Sequence, residues 1–300
     1  MAAESKRLII LALIANACIA VTKFVAAGIS GSAAMFAEAI HSVADTGNQV
    51  FLLRGDAVSR YAATVTHPFG RGKAMYFWSF MVAVMLFVGG SALSIYHGWQ
   101  KITDPGEHHG EGLMFSLIVL AVAAVFEIGI ALIPAIKQFN KVRGSKGAWR
   151  MIRESKDSAL IIVIFEDTAA AVGLVIAAAG LIIADITHDP VWDGIASVMI
   201  GLLLGLVALV IAREMNSLLI GESATRRDRA SIRVAMLSVE AVHHVERLLT
   251  MQLASHEILV TAEVAFDEGA DEVAAIAEIE ANIVAGVPDA KQIFIEPVAR

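Results

Sequence analysis

Cysteine is nearly absent from this sequence, and charged residues are scarce. The 300 residues include a single cysteine, Cys18, which excludes an intrachain disulfide and any metal site built from several cysteines. Only 18% of the residues are charged and 57% are apolar. Soluble domains usually stay below about 50% apolar, so the composition is that of a membrane protein.

Long apolar segments recur along most of the chain. Hydropathy marks six of them, at about residues 8–28, 33–54, 74–97, 113–136, 158–184 and 191–219. Each is long enough for a helix to cross a hydrocarbon core about 30 Å thick. Only a helix satisfies its backbone hydrogen bonds within one segment in lipid, so we predict six transmembrane helices. A removable signal peptide is the less favoured interpretation of the first segment, because Asn16 and Lys23 interrupt its apolar run.

Basic residues are distributed unequally among the connections. The connection after the second segment carries Arg54, Arg60, Arg71 and Lys73. The connection after the fourth carries Lys137, Lys141, Arg143, Lys146, Arg150, Arg153 and Lys156. The connections after the third and fifth segments carry only Lys101 between them. Because basic loops stay on the cytoplasmic side, both termini are predicted to be cytoplasmic, in a multi-pass protein of the inner (plasma) membrane.

The character of the chain changes at about Gly221. A polar helical start is followed by two β-branched runs, "VERLLTMQL" and "ILVTAEVAFD", which the turn "ASHE" joins into a hairpin. The amphipathic helix "DEVAAIAEIEANIVAG" and a last strand, "KQIFIEP", complete the order αββαβ. We predict a transmembrane domain over residues 1–220 and a small ferredoxin-like α+β domain over residues 221–300, on the cytoplasmic side.

Three ionisable residues interrupt the second apolar segment, in "EAIHSVADTGNQV". Glu38, His41 and Asp45 are three and four residues apart, so they project from one stripe of a helix. Turning Asp toward lipid at the centre of a span costs about 2.5 kcal/mol or more, so the stripe must face protein or water. Two interpretations remain open: a hydrogen-bond network between helices, or a metal site in which His41 and Asp45 bind one ion.

The fifth segment supplies a second polar cluster, in "VIFEDTAAAVG". Glu166 and Asp167 lie deep in an apolar run, where two adjacent carboxylates repel each other unless a cation or a proton lies between them. A cation bound by His41, Asp45 and Asp167 needs one further ligand for four-coordination. Either Glu166 or water is a candidate for that position.

Two further ionisable residues lie inside other segments. Lys23 in the first segment either extends to the interface or pairs with a carboxylate. Glu127 in the fourth either pairs with Lys23 or carries a proton. With Glu38, these residues are candidates for proton coupling or for supporting the metal site. Asp193, near the start of the sixth segment, is interpreted as an interfacial cap.

Three motifs together resemble the cation diffusion facilitator family. They are "GISGSAAMFAEAIHSVADTGNQ", "HPFGRGKAMYFW" and "FEDTAAAVG", and the likeness covers nearly the whole chain. The "HPFGRGK" loop and the adjacent Glu and Asp are similar to the zinc-transporter-like branch. The resemblance implies six spans with a cytoplasmic α/β tail, export of divalent metal from the cytosol in exchange for protons, and a homodimer.

The resemblance also implies ligands at defined positions. His41 and Asp45 match the pair in the second span, and Asp167 matches the second ligand of the fifth span. The first ligand of that span would lie four residues earlier, where this sequence has Val163. Glu166 is the candidate to compensate.

The loop and tail also depart from the family pattern. His67 in the cytoplasmic loop is followed by Arg71 where many members have a second His, so the loop metal site is predicted to be absent. Phe294 stands where many tails have a His ligand. His243, His244 and His256 are interpreted as surface residues, and the tail is predicted to serve dimerisation more than metal sensing.

We therefore expect a proton-coupled exporter of Zn²⁺ that works by alternating access. One imidazole among carboxylates suits zinc, while iron, cobalt, manganese and cadmium stay open. A passive metal channel is the alternative, although the third and sixth segments are almost wholly apolar. The sequence lacks the GxxxxGK[ST] loop of nucleotide-driven pumps and the HExxH pattern of metallohydrolases. We expect no enzymatic activity, organic cofactor or nucleic-acid partner.

Overall fold

The computed structural model describes residues 2–105, 112–143, 147, 151 and 156–299, with side chains from Asn16 onward except that of Val142. The first 220 residues form long helices. They are α1 (Ala2–Ser30), α2 (Ala33–Ser59), α3 (Ala74–Thr103), α4 (Leu113–Lys141), α5 (Ser158–Thr187) and α6 (Val191–Ile220). Lys146, Arg150 and Arg153, on which part of the orientation argument depends, lie outside the described residues.

Four of the described helices, α3 to α6, are long and apolar enough to cross a membrane. In α1, the described side chains contribute a shorter apolar stretch, Asn16–Ser30. Helix α2 is less apolar because it carries the polar stripe of Glu38, His41 and Asp45. The predicted total of six spans therefore stays a prediction for α1 and α2.

The chain divides into two compact units. The first comprises Met1–Gly55, Trp78–Ile152 and Ser158–Met215. The second comprises Asp56–Phe77, Arg153–Asp157 and Asn216–Arg300, so it combines two connections between helices with the C-terminal domain.

In the first unit, α3 and α6 approach closely through small residues. A Cβ atom placed on Gly98 would lie 2.7 Å from the carbonyl oxygen of Gly194, and one placed on Gly194 would lie 2.8 Å from that of Gly98. One turn further along α6, the Ser197 hydroxyl donates a 2.8 Å hydrogen bond to the Ser94 carbonyl. Membrane helices pack in this way because lipid supplies no hydrophobic force to bring their backbones together.

Asp193 of α6 holds the start of α2. Its carboxylate accepts hydrogen bonds from the Ser32 hydroxyl at 2.5 Å and from the backbone amides of Ala33 at 2.6 Å and Ala34 at 3.1 Å. These amides are among those that a helix leaves unpaired at its N-terminus, and the helix dipole favours an anion there. Asp193 is therefore a cap, as the sequence indicated, but it is buried and caps a helix other than its own.

The second unit contains a three-stranded sheet covered by two helices. Its elements follow in the order α7 (Arg226–Leu237), β1 (Val242–Ala254), β2 (Glu257–Phe266), α8 (Glu272–Gly286) and β3 (Ala290–Val298). Strand β2 is central, antiparallel to β1 and parallel to β3. The hydrophobic core between this sheet and the two helices includes Ile232, Met236, Val260, Val264, Ile279 and Ile283. The predicted hairpin, amphipathic helix and last strand are all present, close to their predicted boundaries.

Candidate metal centre

The polar stripe of α2 is formed as the helical spacing predicts. His41 is buried, and its Nε2 lies 3.7 Å from Oδ2 of Asp45, whose side chain is 22% exposed. The two residues lie one turn apart on the same helix face. Helix α2 alone therefore brings together an imidazole and a carboxylate.

The carboxylates of α5 have different surroundings. Glu166 is buried, and its Oε1 accepts a short hydrogen bond from the side-chain amide of Asn48 in α2. Asp167 and Val163 are half-buried. Asn48 was not singled out from the sequence, although it follows Asp45 by three residues and so extends the same polar stripe.

Several polar atoms of this region are buried without a hydrogen-bond partner among the described residues. They are both ring nitrogens of His41, Oδ1 of Asp45 and Oδ2 of Asp167. Leaving one such atom unpaired costs about 1–3 kcal/mol, and more when the group is charged. A divalent cation or bound protons would satisfy these atoms, because imidazole nitrogens and carboxylate oxygens bind both.

The complete ligand set stays a prediction. Within the described ranges, no three His, Cys, Asp or Glu side chains are grouped so that they could hold one ion. Nε2 of His41 lies 3.7 Å from Oδ2 of Asp45, too far for a hydrogen bond. Glu166 is engaged by Asn48, and Oδ2 of Asp167 has no hydrogen-bond partner among the described residues. The structure thus supplies candidate ligands on two helices of the same unit.

Lys23 is paired with two carboxylates. Its ammonium lies 3.0 Å from Oε2 of Glu38 and 2.8 Å from Oε1 of Glu127. Of the alternatives that the sequence left open, the structure shows pairing for both Lys23 and Glu127. Glu127 begins a π-helical turn, Glu127–Leu132, within α4. Such turns are rare and frequently occur at functional sites.

The loop before α3 contains His67. This residue is exposed, and its Nδ1 lies 3.0 Å from the Thr66 hydroxyl. The guanidinium of Arg71 lies 5.7 Å from the ring centre of Tyr61. No metal cluster involving His67 occurs among the residues that the structure describes.

In the C-terminal tail, Phe294 makes an aromatic contact and the three histidines form ion pairs. Phe294 packs edge-on against Phe69, with ring centres 6.4 Å apart. The tail histidines are exposed and pair with carboxylates: His243 with Asp267, His244 with Glu246 and His256 with Asp289. The three histidines therefore lie on the surface, as the sequence indicated.

Comparison with known proteins identifies the family. Residues 9–220 match the model of the cation efflux transmembrane domain, and this range contains every candidate metal ligand described above. The chain belongs to the cation efflux family. The resemblance to cation diffusion facilitators is thereby confirmed, and this cation efflux protein is an integral membrane protein.

Individual relatives of this cation efflux protein come from animals, plants and bacteria. It is 31% identical over 263 residues to the mouse proton-coupled zinc antiporter SLC30A9, mitochondrial, covering 87% of this chain and 46% of that protein. It is 32% identical over 235 residues to metal tolerance protein C4 of Arabidopsis thaliana, covering 76% and 50%. The manganese efflux system protein MneP of Bacillus subtilis is 21% identical, covering 85% and 82%. The chain thus spans about half the length of the first two.

Proposed function

We propose that this protein exports divalent metal cations, chiefly Zn²⁺, from the cytosol in exchange for protons. The observation that carries the proposal is the set of unpaired, buried metal-binding atoms on His41, Asp45 and Asp167 inside an apolar bundle. Relatives named as a proton-coupled zinc antiporter and a manganese efflux protein support it. No enzymatic activity or organic cofactor is part of the proposal.

The exchange follows from the chemistry of the ligands. An imidazole nitrogen or a carboxylate oxygen coordinates metal only when it carries no proton, so metal and protons compete for the same atoms. When the site opens to the cytosol, metal binds and the protons leave. When it opens to the other side, protons bind and the metal leaves. Alternating access of this kind prevents a continuous pore.

Zinc is the favoured substrate because one imidazole accompanies the carboxylates. Glu166 is the proposed fourth group, although its hydrogen bond with Asn48 competes with coordination. Manganese, iron, cobalt and cadmium are the competing substrates to be measured beside zinc.

The orientation and the membrane are further parts of the proposal. Both termini are proposed to be cytoplasmic, because the basic connections follow the second and fourth spans. The plasma membrane is the proposed location. A homodimer is proposed from the family resemblance. A passive channel is the competing function, and it would conduct metal without regard to a proton gradient.

The test is metal transport by the purified full chain in proteoliposomes with a zinc-sensitive dye inside. An imposed proton gradient should accelerate zinc uptake, and His41→Ala, Asp45→Ala and Asp167→Ala should each abolish it. Val163→Ala is the matched control and should transport normally, because an alkyl group at that position only packs. Uptake that ignores the gradient would establish a channel, and normal transport by two of the three ligand variants would refute the site.

A further inference from the structure

Lys23 lies at the junction of three helices. It belongs to α1, its side chain is fully buried, and its ammonium contacts Glu38 of α2 and Glu127 of α4. A lysine ammonium is strongly hydrated and has three donors, so complete burial is tolerated only where acceptors replace water. The two carboxylates provide those acceptors.

The arrangement has more acceptors than donors. Oε1 of Glu38 and Oε2 of Glu127 are buried and lack a hydrogen-bond partner in the part of the chain that the structure describes. Oε1 of Glu38 faces Gly173 of α5, where an added Cβ would lie only 2.5 Å away. Glu38 is therefore confined between Lys23 on one side and the backbone of α5 on the other.

This cluster is next to the candidate metal ligands. Glu38 precedes His41 by three residues and so occupies the same face of α2. Lys23, Glu38 and Glu127 all interact electrostatically with His41. Glu127 also interacts with Asp45 and Asp167. A shift of Glu38 would consequently move the helix face that presents His41.

We propose that Lys23 is a positioning residue for the metal site, with Glu38 and Glu127 as its permanent partners rather than carriers of the exchanged protons. The ammonium holds the stripe of α2 against α1 and α4, so that His41 and Asp45 keep their orientation. This inference rests on the proposed function, because it assigns the proton exchange to the metal ligands themselves.

The geometry separates positioning from proton transfer. Each carboxylate gives one oxygen to the same ammonium, at 3.0 and 2.8 Å. Protonating either one would weaken an ion pair and leave the buried ammonium poorly compensated, which is unfavourable away from water. Either carboxylate would therefore have to give up its contact with the Lys23 ammonium in order to carry a proton.

Lys23→Met tests the positioning role in the full chain. We expect the KM for zinc to rise at least tenfold, because His41 and Asp45 lose their orientation. Lys101→Met is the matched control and should leave KM unchanged, since the hydrogen bond described for Lys101 goes to the Gly31 carbonyl, at 3.3 Å, and not to the metal site. A lower melting temperature with an unchanged KM would show a merely structural residue and overturn the proposal.

A double variant distinguishes position from net charge. With both carboxylates ionised, the wild-type cluster carries one negative charge, Lys23→Met carries two, and Lys23→Met with Glu127→Gln again carries one. The double variant should keep the raised KM, because the ammonium that positions Glu38 is still missing. Recovery of the wild-type KM would show that net charge alone matters. If Lys23→Met does not fold, the KM of the double variant is measured in its place.

Glu127→Gln tests the second part of the proposal. Transport should be slower, but the number of protons exchanged for each zinc ion should stay that of the wild type, because the metal ligands carry the protons. A lower number would identify Glu127 as a proton carrier and overturn the proposal. The corresponding measurement on Glu38→Gln applies the same criterion.

Failure of the proposed function is recognised separately. If the wild-type protein moves no metal under any proton gradient, the proposed function fails. Zinc affinity measured by calorimetry on the purified protein then replaces KM. A Lys23→Met variant that binds zinc as tightly as the wild type would overturn the positioning role, while weakened binding would support it.

Discussion

Asn48 of α2 donates a hydrogen bond from its side-chain amide to Oε1 of Glu166 in α5. Both side chains are buried, and the two residues are 118 positions apart in the sequence. The bond connects the polar stripe of α2 to the carboxylate pair of α5. If Glu166 also bound metal, its carboxylate would have to share or release this hydrogen bond with Asn48.

Replacing Glu166 tests whether its ionisable carboxyl group is needed. Glu166→Gln keeps an oxygen that can accept from Asn48 but removes the ionisable group, and we expect proton-driven zinc transport to fall at least about tenfold, roughly 1.4 kcal/mol. Asn48→Ala removes the hydrogen bond and keeps the carboxyl group. If Glu166→Gln transports at the wild-type rate in proteoliposomes, Glu166 is a structural residue.

His41→Asp tests metal selectivity. The substitution removes the one nitrogen ligand of the candidate site and leaves only oxygen ligands, which favour harder ions such as Mn²⁺ over Zn²⁺. We expect the ratio of zinc to manganese transport to fall. Competition between the two ions in one vesicle preparation measures the ratio, and an unchanged value would show that His41 does not coordinate metal.

Gly173→Ala tests the confinement of Glu38. An added methyl group would lie 2.5 Å from Oε1 of Glu38, which Lys23 prevents from moving away freely. Overpacking of this kind costs about 1–3 kcal/mol, so we expect a lower melting temperature and slower transport. Gly28→Ala is the control, because a Cβ atom there would have nothing within 4 Å. Equal behaviour of the two variants would contradict the contact.

Cysteine labelling tests the proposed orientation. In a Cys18→Ser background, Asp104→Cys and Val65→Cys place single thiols at two exposed positions, after α3 and between α2 and α3. A membrane-impermeant thiol reagent applied to intact cells should label the first and spare the second. The reverse pattern would show that the protein has the opposite orientation. As a control, both thiols should be labelled after cell lysis, which confirms that each is accessible.

Gly72→Ala tests the packing of the loop on the C-terminal sheet within the second unit. A Cβ atom at Gly72 would lie 2.5 Å from Cβ of Ala254 and 2.7 Å from the Leu253 carbonyl oxygen. We expect faster hydrogen exchange at the end of β1 in the purified protein. Gly286→Ala is the control, since its Cβ would have nothing within 4 Å. Unchanged exchange at Ala254 would refute the packing.

Local patterns in the sequence predicted much of this protein. The boundaries of β1, β2, α8 and β3 followed from alternation, helical period and turn residues, because these signals act between neighbours in the chain. The stripe of Glu38, His41 and Asp45 followed from helical spacing for the same reason. The family resemblance rested on motifs that the sequence displays directly.

Contacts between distant segments were decided by the tertiary structure. Lys23 is 104 positions from Glu127, and Asp193 is 161 positions from Ser32, whose hydroxyl bonds to it. The sequence marked Lys23, Glu127 and Asp193 as unusual because polar groups in an apolar segment need partners, but it left the partners of Lys23 and Glu127 open and did not identify that of Asp193. The choice depends on which helices pack together and at what rotation, and that is a property of the whole bundle.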